Sequence, residues 1–521
     1  MTRELLAAVL SMGALAGVCA GQTTYHVAPA AKGGSNANPG TEDAPWATLQ
    51  FAAGHVMPGD TVIVHAGRYE GFNLGRANSG TAGAPVSFLA QPGVVVDTEA
   101  GRFNGQSHHA RINLDTVAYV VIDGFEVVGT NDQRNSKAGI RMVAPPGTPE
   151  NIAGFITIRN CHVHHNGEWG IFSGHVHRIT VENNDVHDTF DGHGVYLSNS
   201  ADNHVVRGNR IWNNSSQGFH CNSDASQGGD GVTTGVLVEN NIIWNNAVGS
   251  VYIDAGGVER TSSGGGSAIN FDGVRDSVIR NNVLYNNHAS GISLYRIDGL
   301  LPSANNVVVN NTIINGSGEN PSTRWCVNIT DGSTGNVVFN NILLNYHAFR
   351  GSIIISADSR EGFVSDYNVV MNRLDPDGDG PTPPLSLEAW QEETGQDLHS
   401  IVAAPGTWGD LFEDLGAWDL RLRKGSAAVD AGAENVGGVM APKSDAADAA
   451  RPSGKGFDIG AYERGIGGCP ADFNADGTVT SQDFFDFLAA FFAGNADFNA
   501  DGETTSQDFF DFVGAFFTGC D

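Results

Sequence analysis

The sequence predicts an all-β fold, a single-stranded right-handed parallel β-helix of about twelve coils, followed by a small α-helical module. Two observations predict the β-helix. Short apolar runs rich in β-branched residues recur across residues 21–375, and asparagine pairs punctuate them without leaving room for a helix. A third observation predicts the module, because two near-identical loops each lead into phenylalanines at helical spacing.

The first twenty residues have the pattern of a secretory signal peptide. Arg3 precedes an apolar run, and Val18 and Ala20 occupy the small-residue positions of a cleavage site. The run is too short to cross a bilayer. We therefore expect residues 1–20 to be removed on export, and the protein to be secreted or held at the cell surface without a transmembrane segment.

The asparagine pairs define a repeat. The second position of each pair, or its equivalent, falls at residues 161, 184, 209, 241, 282, 311 and 341. Such intervals indicate stacked supersecondary units, and three short strands per unit fit one coil of a parallel β-helix. Asparagine tolerates left-handed backbone at a bend, and its amide can hydrogen-bond to the same position of the next coil. We interpret the pairs as turn residues rather than ligands.

The segments "NPGTEDAPWATLQ" and "PGDTVIVHAGRYEG" contain a loop, a short helix near residues 46–55 and a strand. Together with the repeats they resemble secreted proteins of the pectin-lyase-like β-helix family, over roughly residues 24–375. The resemblance is specific for fold and much less so for chemistry. Residues 376–465 resemble the closing segment of such proteins, which we expect to pack on or beside the last coil and cover a strand edge.

Residues 469–521 contain two copies of D-x-N-x-D-G followed by five residues and an aspartate. Oxygen ligands at loop positions 1, 3, 5, 7, 9 and 12 wrap calcium. The two predicted ligand sets are Asp472, Asn474, Asp476, Thr478, Thr480 and Asp483, and Asp497, Asn499, Asp501, Glu503, Thr505 and Asp508. We therefore predict two calcium ions in this module.

This loop–helix duplication resembles a dockerin, and more closely the tail module ending in "GC" on some exported proteins. The resemblance implies attachment to a cohesin-like or cell-surface partner, with Ser481–Gln482 and Ser506–Gln507 at the contacting positions.

The cysteines divide into two groups. Cys469 and Cys520 bracket the C-terminal module, and we predict a disulfide between them because export permits disulfides. Cys161, Cys221 and Cys326 lie on repeat positions, where small buried side chains are expected.

The chain is strongly acidic. It has 28 Lys plus Arg against 58 Asp plus Glu, a formal charge of −30. This balance argues against nucleic-acid binding, which needs clustered cations. An acidic polymer would need bound metal or local arginines at its site.

Strand alternation predicts a polar stripe along one outer face. Its members are Tyr196, Ser198, His220, Asn222, Asn270, Asp272, Ser293, Tyr295, Asn328 and Thr330. The two longest insertions, roughly 223–232 and 248–265, leave the coils beside it. The stripe suits β-elimination on a uronate polysaccharide, which needs a base, an acid and neutralisation of the carboxylate.

His220 is the candidate base. Tyr295 is the candidate acid, or the base if Arg296 lowers its pKa, and Tyr196 completes the catalytic set. C5-epimerisation shares the first step, and the sequence does not separate the two reactions.

The candidate substrate-binding residues are Asn222, Asn270, Asp272, Trp212 and Trp244. The first three could hold the carboxylate, with Asp272 acting through a further calcium ion. The two tryptophans precede Tyr285 in a repeat column, which either stacks on sugars or, as we favour, shields a coil corner.

Glycoside hydrolysis by paired carboxylates is an alternative. The candidate residues are Asp191, His193, Asp224, Asp230, Asp254 and Asp272. The motifs of the pectin-degrading hydrolases of this fold are not intact here. The lysine base of several lyase families is also missing, because no lysine lies between Lys137 and Lys424. A non-catalytic polysaccharide-binding or surface-structural β-helix is the remaining alternative.

Residues 161–177 are rich in histidine: His162, His164, His165, His175 and His177. Because most fall on alternating strand positions, we interpret them as outward decoration rather than as a metal site.

Overall fold

The computed structural model describes residues 22–316, 324–378, 383–464, 471–474, 479–499 and 504–518. Residues 1–20 and both cysteines of the predicted disulfide, Cys469 and Cys520, lie outside the described residues. The signal peptide and the disulfide therefore stay predictions.

Three parallel sheets form the walls of a β-helix. Sheet A contains Thr24–Val27, Thr61–Val64, Val86–Ala90, Ala118–Asp123, Gly154–Arg159, His177–Glu182, Val205–Arg207, Leu237–Glu239, Val278–Arg280, Val307–Val309, Val337–Phe339 and Val364–Asp366. Sheet B contains Gly67–Glu70, Val94–Thr98, Glu126–Val128, His162–His164, Asp185–His187, Arg210–Trp212, Ile242–Trp244, Val283–Tyr285, Thr312–Asn315, Ile342–Asn345, Val369–Val370 and Ile401–Val402. Sheet C contains Phe72–Gly75, Ala110–Asp115, Ala138–Val143, Trp169–Gly174, Val195–Ser198, Phe219–Asn222, Ser267–Asp272, Ser290–Tyr295, Val327–Ile329 and Ile353–Ile355.

Each coil visits sheets A, B and C in turn, and consecutive coils pair in parallel. Side chains alternate along each strand, so one set points into the prism. In sheet C the inward Val195, Phe219, Ile269 and Ile292 are fully buried in one continuous core. The predicted parallel β-helix is confirmed. Cys161, Cys221 and Cys326 are free and buried, as their repeat positions predict.

The two asparagines of each pair have different tasks. The first adopts left-handed backbone, with φ of 56° at Asn183, 57° at Asn240 and 55° at Asn281. The second is buried, and its amide nitrogen donates to the amide oxygen of the equivalent residue one coil later at 2.9–3.1 Å. This ladder comprises Asn184, Asn209, Asn241, Asn282, Asn311, Asn341 and Asn368. The prediction of turn residues linked in a ladder is confirmed.

A second, shorter ladder lies where sheet B turns into sheet C. Asn214 donates to Asn246 at 2.9 Å, and Asn246 donates to Asn287 at 3.0 Å. The ladders fix the vertical register of neighbouring coils, and therefore the register of the side chains on the outer faces.

Short helices close both ends of the prism. Leu49–Ala53, within the predicted range 46–55, buries Leu49, Ala52 and Ala53 against the first coils, and Thr48 caps it by accepting from the Phe51 amide at 3.2 Å. At the other end, Leu387–Thr394 buries Leu387 and Trp390 in the same core.

The closing segment, residues 376–465, covers a sheet edge and packs against earlier coils. Ile401–Val402 pairs with Val369–Val370, so it covers the edge of sheet B and extends the sheet beyond the predicted boundary at 375. Farther along, Trp418 stacks on Tyr285 with ring centroids 4.7 Å apart. The Asn310 amide donates to the Asp458 carbonyl at 2.9 Å, so this part lies along the outer surface of earlier coils.

The remaining elements are small. The paired strands are Thr233–Thr234 with Val274–Arg275, Ser250–Ile253 with Glu259–Ser262, Phe412–Asp414 with Asp419–Leu422, and Asn435–Val436 with Val439–Met440. The 3-10 helices are Ala30–Lys32, Arg76–Asn78, Ala225–Gln227, Ala357–Ser359 and Trp408–Asp410. In the part of the chain that the structure describes, no helix has the length and apolar character needed to span a membrane.

The C-terminal module contains helices Ser481–Phe492 and Ser506–Thr518. Phe487 and Phe512 are fully buried and stack with ring centroids 3.9 Å apart. Phe485 and Phe510 are exposed. Most phenylalanines of the two helices therefore form the module's own core.

Replacing Asn241 by alanine should destabilise the β-helix strongly. It would leave the Asn209 backbone N–H, the Asn209 amide and the Val206 carbonyl without their partner. Each unpaired buried group costs about 1–3 kcal/mol, so we expect a loss of at least about 3 kcal/mol in the free energy of unfolding, measured by urea denaturation.

The matched control is Asn240→Gly, in the same pair. Glycine adopts the φ of 57° freely, so stability should hardly change. Equal losses of unfolding free energy in both variants would contradict the predicted contribution of the asparagine ladder to stability.

Candidate active site on the outer face of sheet C

The predicted polar stripe lies on the outer face of sheet C in continuous register. Tyr196 pairs with His220, and His220 pairs with Asn270. Two residues further along the strands, the neighbours are Ser198, Asn222, Asp272 and Tyr295. The structure therefore brings together every predicted catalytic and carboxylate-binding residue of the stripe except Arg296, which follows the last strand and is exposed.

Insertions border this face on both sides. The hairpin of Ser250–Ile253 and Glu259–Ser262 precedes strand Ser267–Asp272, and the Ile253 amide donates to the Asn131 carbonyl at 2.8 Å. On the opposite side, the Ala225 amide donates to the Asp298 carbonyl at 3.1 Å. The face is therefore bordered by segments that begin and end on rigid strands.

His220 is a buried, neutral imidazole with one nitrogen that is itself buried and unpartnered among the described residues. Its residue is 8% exposed, and burial, followed by neighbouring His193, lowers its pKa well below the ordinary value. Nδ1 lies 3.3 Å from Nε2 of His193, and the Tyr196 ring stacks on the imidazole at 4.8 Å. Nε2 has no hydrogen-bond partner among the described residues. This is the chemical state that a general base requires.

Tyr295 is held in its protonated form. The Asn270 amide donates to its hydroxyl oxygen at 2.8 Å, which brings the hydroxyl over the coil next to His220. Burial, and then the charge of Asp272, raises the pKa of Tyr295. The predicted lowering by Arg296 is therefore wrong, because burial and a carboxylate dominate the environment of the phenol. Tyr295 suits the role of acid rather than base.

Tyr196 is likewise kept protonated. Burial raises its pKa, and its ring lies between Phe172 and His220. The observed contact of this predicted catalytic residue is with the imidazole face, so it orients His220.

Asp272 anchors a turn. Its carboxylate, on a residue 2% exposed, accepts the backbone N–H groups of Ile297 at 2.7 Å, Asp298 at 3.0 Å and Gly299 at 3.3 Å. Burial, Asp272 and Asp224 raise the pKa of Asp298. The predicted calcium bridge through Asp272 stays a prediction.

Asn222 contributes a second unpartnered polar atom. It is 2% exposed, and its side-chain oxygen has no hydrogen-bond partner among the described residues. A buried polar atom without a partner costs free energy, which a ligand hydroxyl or amide could recover.

The two predicted tryptophans lie elsewhere. Trp212 and Trp244 are on sheet B, where their rings stack on each other at 4.7 Å with an interplanar angle of 8°. The column continues from His187 on one side to Tyr285 on the other. The neighbouring rings occupy their faces, as in the shielding ladder that we favour, and a role of the two tryptophans in substrate binding stays a prediction.

Sequence reasoning missed an aromatic pair at the N-terminal end of the stripe. Trp169 and Phe172 stack at 4.1 Å, and Phe172 lies 5.5 Å from Tyr196. The nitrogen of Lys137 lies 4.8 Å above the Trp169 ring and 3.2 Å from Glu168. Alternation was a sufficient signal for Phe172, which pairs with Tyr196, but not for Trp169, which has the parity of the inward Ile171.

The carboxylates considered for hydrolysis are engaged locally. Asp224 and Asp230 accept backbone amides of their own turns, from Ser226 at 2.8 Å and Val232 at 3.0 Å. Asp254 accepts from the Val258 amide and from Arg260, which lower its pKa. A carboxyl group with a lowered pKa does not suit a general acid.

The described part of the calcium loops folds alike in both copies. Asp483 accepts the Thr480 backbone amide at 2.7 Å and that of Asn474 at 3.2 Å. Asp508 accepts from Thr505 at 2.7 Å and from Asn499 at 3.1 Å. Each carboxylate draws the two ends of its loop together, which fits a wrapped cation.

Of the other predicted ligands, Asp472 and Asp497 are among the described residues. Asp476, Thr478, Asp501 and Glu503 lie outside the described residues. Calcium binding by both loops stays a prediction.

A family model described as Pel9A-like, right handed beta helix region, matches residues 25–322. The chain belongs to this family. The match also bears out the predicted right-handed winding. No curated protein sequence matches the chain.

Solved structures share the fold of this Pel9A-like β-helix. The crystal structure of pectate lyase Pel9A has a TM-score of 0.53 and 18% identity, covering 85% of this chain and 96% of that one. The complex of XylC with xylose has a TM-score of 0.41 and 13% identity, covering 62% and 75%. An alginate lyase from Paenibacillus sp. str. FPU-7 has 0.41 and 18%, covering 63% and 97%. At 18% identity the likeness to pectate lyase Pel9A shows the fold alone.

Calcium removal should unfold the C-terminal helices of this Pel9A-like protein. Residues 469–521 contain ten acidic and no basic residues, so without a cation the loops repel themselves. We expect EGTA to lower the far-ultraviolet helical signal and calcium to restore it.

The matched variant Asp472→Ala/Asp497→Ala should show the low signal with and without calcium. Helical signal in the wild type that is indifferent to EGTA would contradict the predicted calcium loops.

Proposed function

We propose that this protein is an exported polysaccharide lyase, or a C5-epimerase, that acts on a uronate-containing polysaccharide at the outer face of sheet C. One observation carries the proposal. A buried, neutral His220 has Nε2 unpartnered among the described residues, and its strand neighbour Asn270 donates a hydrogen bond to the Tyr295 hydroxyl. The shared fold of a pectate lyase supports the choice of substrate class.

The reaction follows from these two groups. Nε2 of His220 removes the proton next to the uronate carboxylate, and the electron pair forms a double bond as the glycosidic oxygen leaves. Tyr295 gives its proton to that oxygen, so the leaving group departs as an alcohol. In epimerisation, a proton returns to the opposite face of the same carbon instead.

The rest of the face binds the sugar chain. The amides of Asn222 and Asn270 offer hydrogen bonds to a carboxylate or hydroxyl group. The stacked rings of Trp169 and Phe172 lie on the coil before Tyr196 and offer an apolar platform. A succession of subsites along stacked coils suits a polymer, because each coil rises by about 4.8 Å.

The substrate carboxylate must be neutralised in this acidic protein. Asp224, Asp272 and Asp298 lie close enough that their mutual repulsion contributes to the raised pKa of Asp298. Carboxylate oxygens are the ligands that a hard cation prefers, and calcium held by Asp298 and Asp224 would supply positive charge beside the substrate carboxylate. Asp272 would hold the turn at residues 297–299, and with it Asp298, in position to bind the cation.

We propose further that the signal-like residues 1–20 direct export, and that the C-terminal module attaches the protein to a cohesin-like or cell-surface partner. The basis is the paired loops, whose repeated Ser–Gln dipeptides begin helices Ser481–Phe492 and Ser506–Thr518.

The variants His220→Ala and Tyr295→Phe should each lose at least about 100-fold in activity, since general acid–base groups contribute on that scale. Activity is followed on pectate, alginate and glycosaminoglycans as ultraviolet absorbance of unsaturated ends. Epimerase activity is followed as exchange of the uronate proton with solvent.

The control is Tyr285→Phe, in the sheet B ladder, which should retain full activity and the same thermal unfolding midpoint. Full activity in both site variants would refute the site. New reducing ends without absorbance would instead indicate a hydrolase.

Activity should persist to unusually acidic pH. The base must be unprotonated, and because the pKa of His220 lies well below 6.5, it remains neutral as the pH falls through that value. The acid must be protonated, and because the pKa of Tyr295 is raised above 10.0, it remains so in mild alkali. The measurement is kcat/KM against pH. An acidic limb centred at 6.5 would contradict the assignment of His220.

A further inference from the structure

A histidine cluster lies on the outer face of sheet B, on a different wall from His220. His162 pairs with Glu126 on one side and with Asp185 on the other. His164, two residues along the same strand, pairs with His187. The cluster is independent of the proposed active site.

Three side chains of this cluster converge. One carboxylate oxygen of Glu126 and one ring nitrogen each of His162 and His164 all lie within 4.8 Å of one another. Nε2 of His164 lies 3.6 Å from the Glu126 carboxylate. The same Nε2 is buried and has no hydrogen-bond partner within the described segments.

The surrounding groups hold these histidines in place. Nδ1 of His187 lies 2.6 Å from the Asp188 carboxylate, and Nε2 of His187 lies 2.7 Å from Nε2 of His162. A proton donated from His187 to Asp188 leaves a lone pair on Nε2 of His187, so His162 donates there and keeps Nδ1 free of a proton. Nδ1 of His164 lies 2.7 Å from Nδ1 of His165. Such carboxylate–histidine contacts orient metal ligands in known sites.

The types of ligand atom at this cluster indicate which class of metal it would bind. Two imidazoles and one carboxylate suit zinc and similar divalent transition metals, and three protein ligands leave a fourth position open. Tetrahedral zinc with bonds of about 2.0–2.1 Å needs ligand atoms about 3.3 Å apart, so small side-chain movements suffice.

We propose that Glu126, His162 and His164 bind one divalent transition-metal ion of the zinc class on the outer face of sheet B. His187 and Asp188 are positioning residues for His162. The earlier interpretation of these histidines as outward decoration is thereby replaced. The alternation of side chains along the strand places His162 and His164 on the outer face, and the stacking of coils places them next to Glu126.

A purely structural role is the competing explanation. The ring of His164 lies 5.1 Å from that of His187 at an angle of 5°, and His187 stacks on Trp212 at 4.1 Å. The histidines could therefore be rungs of the aromatic ladder alone. A test must therefore remove the metal-binding nitrogen of His164 and keep an aromatic ring at the same position of the stack.

The experiment titrates Zn²⁺ into the full-length, calcium-saturated protein by isothermal calorimetry, with Co²⁺ absorption reporting coordination geometry. Wild type should bind one equivalent with micromolar or tighter affinity. His164→Phe keeps a stacking ring and Glu126→Gln keeps shape, and each should weaken binding at least tenfold with an unchanged thermal unfolding midpoint in the absence of zinc.

The control is His399→Ala, which removes an exposed histidine that lies 2.7 Å from Asp366 on another part of the chain. It should bind zinc like the wild type. Absence of stoichiometric binding by the wild type would overturn the proposal. So would unchanged affinity in both variants, and Glu126→Gln keeps the test decisive should His164→Phe fail to fold.

Discussion

The buried asparagine ladder is the interaction on which the rest of this structure depends. Parallel strands of two to six residues offer few backbone hydrogen bonds per coil, and a slip by one residue would turn every outward side chain inward. Each ladder amide bonds to the amide of the next coil and to a backbone carbonyl of the preceding one, as Asn241 does with Asn282 and Val206. The ladder therefore sets which side chains become neighbours on every wall.

The proposed active site uses that register directly. His220, Asn270 and Tyr295 come from three consecutive coils, and each sits on a strand rather than on a loop. Strand positions restrict side-chain movement, so the Asn270–Tyr295 hydrogen bond can hold the hydroxyl at the strand next to His220 before substrate arrives. The insertions then provide borders, while Asp272 anchors the turn at residues 297–299, which the Ala225 amide contacts from the 223–232 insertion.

The outer faces of sheets B and C carry similar residue types in different arrangements. On sheet B, aromatic rings lie face to face from His187 through Trp212 to Trp244, which buries their faces against one another. On sheet C, the neighbours of His220 leave one nitrogen and the side-chain oxygen of Asn222 unsatisfied among the described residues. Nε2 of His164 on sheet B also lacks a partner among the described residues, so both walls contain atoms with free energy to gain from a ligand.

The sequence by itself determined the β-helix, the turn role of the asparagine pairs and the membership of the sheet C stripe, because period-two alternation and a repeated turn are local signals. It could not decide the environment of each group. Whether Tyr295 gains or loses acidity depends on Asp272 and on burial, not on adjacent Arg296. Only stacking of the coils decided that Trp212 faces Trp244 and that His162 meets Glu126, since these partners lie far apart along the chain and touch only when the prism closes.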